Sequence, residues 1–207
     1  DAMDPVTKAI SDSLRSAPLL AGDLPSAPIF DRALLGEPAP GATLNFDQKL
    51  GHLYEQALQL SIDASANLTC LASHLQVYDE SGRTLGELDY ILFDTIARRH
   101  IHLELAVKFY LAVKSDDGWL FPGPNPDDNW QRKLDRLEKH QLPLSQRSEA
   151  RRLLHKRFGI ERLETQQLIY GRLFHPLEST DSPRLAYMAP NGQTGHWLYV
   201  KKWASHF

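Results

Sequence analysis

Ile101-His102-Leu103-Glu104-Leu105-Ala106-Val107-Lys108-Phe109-Tyr110-Leu111 is the stretch on which the fold turns. Its odd positions are all apolar, and between them stand His102, Glu104, Ala106, Lys108 and Tyr110. A period of two sustained over this length predicts a β-strand with one face turned to a core. Side chains two apart on a strand share a face about 6.6 Å apart. Glu104 and Lys108 therefore stand on one face, with Ala106 between them.

Working outward, Leu85 to Phe93 reads as a second strand and Leu75 to Tyr78 as its hairpin partner across Asp79-Glu80-Ser81-Gly82. If the second and third strands pair through the connection at 94–100, Asp89 falls near position 106, between the Glu104 carboxylate and the Lys108 ammonium. Ahead of the strands, Asn45 and Gln48 have capping-box spacing, and Phe46, Leu50, Leu53, Tyr54, Ala57 and Leu58 recur at helical intervals. Downstream, the loop holding Phe121-Pro122-Gly123-Pro124 precedes two helical stretches, 127–140 and 145–158. Pro143 separates them, and Ser145 suits the cap of the second. A strand at 167–174 and two short ones near 184–188 and 196–201 complete the chain. Residues 1–44, rich in Pro, Ala and Gly, read as a short helix near 6–16 and an extended arm that wraps the domain or links to it. The sum is an α/β domain over 45–207, with a mixed central sheet flanked by helices and an N-terminal arm.

Composition sets outer limits. The 207 residues are 42% hydrophobic and 24% charged, which excludes wholesale disorder. A formal net charge of -3 provides no global basic field, so any nucleic-acid contact falls to local patches. Cys70 is the lone cysteine, which excludes an intramolecular disulfide and argues against a cysteine zinc site. That usage suits a reducing cytoplasm, and no segment has the length of a membrane span. No nucleophile elbow, Walker loop or dinucleotide fingerprint is present.

The charged residues on the strands suggest chemistry. Two carboxylates can hold a hard divalent cation through oxygen, and a neighbouring lysine can orient water or neutralise developing charge. The plainer alternative is a cross-strand ion pair on a solvated face, worth roughly 0.2–1 kcal/mol. Against it, Asp89 shares its face with Ile91 and Phe93, and Glu104 with Ala106 and Tyr110. Such a face is covered at one end and open at the other.

Gly86-Glu87-Leu88-Asp89-Tyr90 resembles the strand of PD-(D/E)XK nucleases in which a Gly-x-x-Asp hairpin supplies a metal-binding aspartate. His102-Leu103-Glu104-Leu105-Ala106-Val107-Lys108 resembles the following strand, which ends in the catalytic lysine, and Leu50-Gly51-His52-Leu53-Tyr54-Glu55 the first core helix, whose glutamate often reaches the metal. The match covers about 45–112, and the whole chain resembles an uncharacterised bacterial family of that superfamily. It is similar to that family also around Gly123-Pro124, Trp130, Gln141-Leu142-Pro143-Leu144 and His196-Trp197. The resemblance implies a restriction-endonuclease-like core and a nuclease cutting DNA. In that site Asp89, Glu104 and Glu55 bind Mg²⁺ or Mn²⁺ and Lys108 assists the water. One departure matters: the usual acid two residues before the lysine is here Ala106, and Glu104 lies one pleat further away. An alternative therefore stands beside the enzyme, a nuclease-like fold without catalysis that binds nucleic acid or protein. A scaffolding domain is a third.

Read by itself, Glu55 sits at the flank of its helix among Gln48, His52 and Gln59, and only the resemblance lifts it to a ligand. Arg98 and Arg99 in the strand connection, and Arg151, Arg152 and Lys156 on the last helix, are candidate DNA phosphate contacts. A solvated amphipathic helix explains the latter three equally well. Trp130, Trp197 and Tyr199 can stack on bases, though aromatics at such spacings usually belong to cores.

Overall fold

The alternating stretch becomes β3, Arg99–Leu111, the central strand of five. The computed structural model describes residues 2–125 and 127–199. β1 (Leu68–Tyr78), β2 (Thr84–Asp94) and β3 form an antiparallel meander. β6 (Glu164–Pro176) then lies parallel to β3, and β7 (Thr194–Trp197) parallel to β6, in the order β1-β2-β3-β6-β7. A parallel neighbour demands a crossover. Here it runs through α3 (Trp130–Arg136), a π-type turn at Leu137–Gln141, a 3₁₀ turn at Leu142–Gln146 and α4 (Ser148–Phe158). A small hairpin, β4 (Val113–Ser115) with β5 (Gly118–Leu120), occupies part of what the sequence suggests is loop.

The fold is thus α/β, with a mixed sheet between two helical layers. On one face Tyr90, Leu92, Leu103 and Tyr170 pack with residues of α1 (Pro5–Ser16) and α2 (Leu50–Asp63), among them Leu14, Leu53, Ala57 and Ile62. On the other, Leu75, Leu88 and Ile91 meet Leu144, Ala150 and Leu154, while Tyr110, Ile169 and Leu173 meet Trp130, Leu134 and Leu137. The arm joins this core: Leu19, Leu20, Ala21, Leu24, Ala27 and Phe30 are all buried. Its backbone pairs with β6, Leu20 N–H donating to Ile169 O (2.8 Å) and Phe30 N–H to Gln167 O (3.0 Å). It covers the edge of β6 below β7, an edge that otherwise offers unpaired amides. Among the described residues no helix is long and apolar enough to cross a membrane.

Several local expectations change. Asn45 does not cap α2, which starts at Leu50; its side chain accepts from Asp47 N–H instead (3.1 Å), and Phe46 is exposed. Ser145 is buried three residues before α4 and its hydroxyl meets Thr165 Oγ1 (3.2 Å), so tertiary contact overrides its capping preference. Residues 184–188 form no strand, only a single bridge from Met188 to Ala21. The last predicted strand begins at Thr194, and positions 200 and 201 lie outside the described residues. The β2–β3 register also differs: Asp94 pairs with Arg99 and Tyr90 with Leu103. Asp94 Oδ1 tightens the turn by accepting from Ile96 and Ala97 (both 3.0 Å), which shortens the connection and carries Asp89 abreast of Glu104 instead of Ala106.

Gly171 fixes the contact between β3 and β6. It sits beside Lys108 with φ +138°, and an added Cβ would lie 1.6 Å from the Lys108 carbonyl oxygen. Gly171→Ala should therefore cost about 3 kcal/mol or more in denaturant unfolding, from backbone strain and forced strand separation. Gly51→Ala, whose Cβ meets nothing within 4 Å, should be neutral or gain up to about 1 kcal/mol. Equal stability of Gly171→Ala and the parent protein would contradict this packing.

Candidate active site

At Asp89 the antiparallel pairing of β2 with β3 has ended, since its last pair is Tyr90 with Leu103. The Asp89 carboxylate takes over the role of a ladder carbonyl: Oδ2 accepts from Leu105 N–H at 3.0 Å. Across β2 stands His74, a non-glycine residue with φ +51°. The alternation of both strands resets here. Ser73 and His74, though consecutive, line one pocket with Tyr90, while Leu88 packs on Leu144 and Tyr90 on the α2 side.

Glu104 is only 3% exposed, so its ionised form needs donors. Gln141 supplies one, Nε2 to Oε2 at 3.0 Å. His102 Nε2 lies 3.0 Å from Oε1 and, as the Nε2–H tautomer, can supply the other. The His102 ring is fully buried and its Nδ1 has no hydrogen-bond partner among the described residues. Asp89 feels the consequence. Burial, then the neighbouring Glu104 charge, raises its pKa to about 7 despite the Leu105 N–H bond; Glu87 and Glu55 add smaller repulsions.

Two lysines lie beside the acids. Lys108 Nζ pairs with Asp128 Oδ2 at 2.7 Å. Lys133, carried by α3, donates to Gln141 Oε1 at 2.9 Å, so a single amide joins the Lys133 ammonium to the Glu104 carboxylate. Burial, with Lys108 and Arg136 adding to it, lowers the Lys133 pKa to about 8, against the opposing pull of Glu104 and Asp89. Asn129 caps α3 by accepting from Arg132 N–H (2.9 Å), and buried Trp130 anchors the helix through Nε1 to Ala186 O (3.0 Å). Lys108, Lys133, Asp128, Arg136 and Gln141 line one cleft of about 470 Å³.

Of the candidates named from sequence, Asp89 and Glu104 thus adjoin, and Lys108 shares a cleft with the lysine and glutamine that reach Glu104. Glu55 lines a separate pocket of about 450 Å³, with Oε2 on His52 Nδ1 (2.8 Å), and acts on Asp89 only through its charge. His52 is exposed. Among the described residues no three His, Cys, Asp or Glu side chains gather as a ready metal cluster. Trp130 belongs to the core, Trp197 Nε1 donates to Ala112 O (3.1 Å), and Tyr199 is exposed. Lys133 and Asp128 carry no motif in the sequence; His102 and Gln141 lie in family-like segments in which sequence alone attaches no chemistry to them.

The raised Asp89 pKa has a definite sign. The folded state holds this proton more tightly than the unfolded one, so the stability it contributes is complete below about pH 4 and lost as pH rises through about 7. Asp89→Asn keeps an acceptor for Leu105 N–H and removes the charge. Its stability relative to the parent should therefore grow between pH 5 and pH 8, reaching about 1–3 kcal/mol in its favour. Thermal unfolding across that range tests this; a constant difference, or a more stable parent at pH 8, would contradict the buried acid pair.

Comparison with curated proteins and with solved structures returns no match. Residues 13–207 match the family described as Domain of unknown function (DUF1853), and the chain belongs to that family.

Proposed function

We propose that this chain is a divalent-metal-dependent nuclease that hydrolyses phosphodiester bonds in DNA, with Asp89 and Glu104 holding Mg²⁺ or Mn²⁺. The observation that carries the proposal is the buried acid pair: two adjoining carboxylates, one with its pKa raised to about 7, beside a cleft with two lysines. The element order supports a restriction-endonuclease-like core, namely a helix, three antiparallel strands, a helical crossover and a strand parallel to the third.

The donor chemistry fits a hard cation. Both acids offer oxygen, the Leu105 bond engages only Oδ2 of Asp89, and a bound cation would offset the repulsion between them. When bound it would lower the pKa of a water and stabilise charge on phosphorus. Gln141 and His102 hold the Glu104 carboxylate in one orientation, which compensates for its place one pleat beyond the usual acid. Lys108 and Lys133 meet the phosphate oxygens, and Lys133, with its lowered pKa, can also hold or release a proton near neutral pH. Glu55 would support the cation from its neighbouring pocket through its charge.

The same arrangement gives a second reading a foothold. Asp128 already neutralises Lys108, and Ala106 stands where an acid is usual, as expected of a fold kept for binding alone.

Mn²⁺ at a hundredfold excess over its Kd should raise stability by about 2.7 kcal/mol. Asp89→Ala and Glu104→Ala should abolish this gain together with cleavage of plasmid and oligonucleotide, while Glu55→Ala should weaken it less. Lys133→Met and Lys108→Ala should keep metal binding and slow cleavage by about 10- to 1000-fold. Ala106→Glu should preserve or raise activity. No metal binding and no cleavage by the parent, with none gained by Ala106→Glu, would falsify the enzyme and leave the binding module.

A further inference from the structure

At the opposite end of β3 from the lysine cleft, a groove of about 720 Å³ opens where the β2–β3 turn, α4 and the chain after α4 converge. Arg98 and Arg99 enter from the turn, Arg151 from the helix and Arg162 from the following loop. Of the two acids in the groove, Glu164 is bonded to Arg99 (2.8 Å), leaving Glu161 to oppose the rest. Arg98, Arg151 and Arg162 form no ion pair among the described residues, and Arg98 and Arg151 are exposed. Across a shared wall, a second recess of about 610 Å³ adds Arg152 and His155. In a chain whose net charge is -3, three separate segments thus bring unspent guanidinium groups to one concave place.

We infer that this groove is a second contact for duplex DNA, gripping the phosphate backbone about one helical turn away from the lysine cleft. Resting on the nuclease proposal for its ligand, the assignment extends it to a substrate class. Guanidinium groups suit phosphate oxygens through paired N–H donors. Among the described residues the one ring lining the groove, His100, already stands against Phe93 at 4.9 Å, so they offer no stacking platform for unpaired bases there. Backbone contact without stacking favours duplex over single strand.

Spacing sharpens the point. Arg99 and Lys108 lie on the same strand, and their separation at strand rise is about 30 Å. That corresponds to roughly nine base pairs at ~3.4 Å each. The 137–146 segment connects the two places, with Gln141 lining the cleft and Gln146 the groove. A duplex that reaches both must therefore exceed about nine base pairs.

The test is binding of labelled 20-bp and 6-bp duplexes, a 20-nucleotide single strand and phosphatidylserine vesicles to the full chain in EDTA, over a salt series. The 20-bp duplex should bind best, and the 6-bp duplex at least tenfold more weakly. Joint reversal of Arg98, Arg151 and Arg162 to Glu should cost the 20-bp duplex tenfold or more and flatten its log–log salt slope by about two to three, near 0.9 per lost phosphate contact. Single Arg→Gln changes, checked by thermal unfolding, serve if the triple variant does not fold. Unchanged affinity and slope in the variants would overturn the groove while leaving the nuclease untouched, provided the parent still cleaves. Groove-dependent duplex binding without cleavage in any metal would uphold the groove and sink the enzyme. Tighter binding of single strands or vesicles, or no duplex binding by the parent, would overturn the duplex assignment.

Discussion

β3 has an antiparallel neighbour on one side and a parallel one on the other, and the placement of every candidate functional group follows from that. An antiparallel partner can be reached by a tight turn. A parallel one requires the chain to travel back along the sheet, which lays α3, the two turns after it and α4 across one face. That return journey brings Lys133 and Gln141 over Glu104 and sets Leu144 and Leu154 against β2. On the opposite face α1 and α2 seal Leu103 and Tyr170, so Glu104 lies in a sheet covered from both sides.

Putting two carboxylates into such a place works against stability. The protein lessens the cost with donors placed one by one: Leu105 N–H for Asp89, His102 and Gln141 for Glu104, and the Lys133 ammonium one amide away. The compensation is incomplete, as the raised Asp89 pKa records. Residual repulsion of this kind is common where a site is shaped for a ligand that carries the missing charge.

The period of two from Ile101 to Leu111 made β3 legible, with Glu104 and Lys108 on a single face, because regular alternation is a local property. β1 was legible only over its last residues. Its alternation breaks at Ser73 and His74, where the left-handed His74 sends consecutive side chains to one pocket. Asp89 was legible as a site residue but not in register, since the shorter turn, four residues in place of seven, depends on the Asp94 side chain. Lys133 was beyond sequence. Next to the apolar Leu134 it looks like any cation at the flank of an amphipathic helix, and only the crossover shows where its ammonium ends.

The pairing of the arm with β6 bears on how the chain folds. Gln167 Nε2 donates to Gly22 O across 145 residues of sequence, and the backbone bonds at Phe30 and Leu20 span similar distances. Contacts so distant along the chain close only after most of the intervening loop entropy is spent, which slows folding. On the ribosome, Leu19, Leu20, Leu24 and Phe30 emerge before β6 and have no partner strand until it has been made. During that interval their apolar side chains are open to other nascent chains, and the prolines at 18, 25 and 28 keep the segment from joining a strand of the wrong kind.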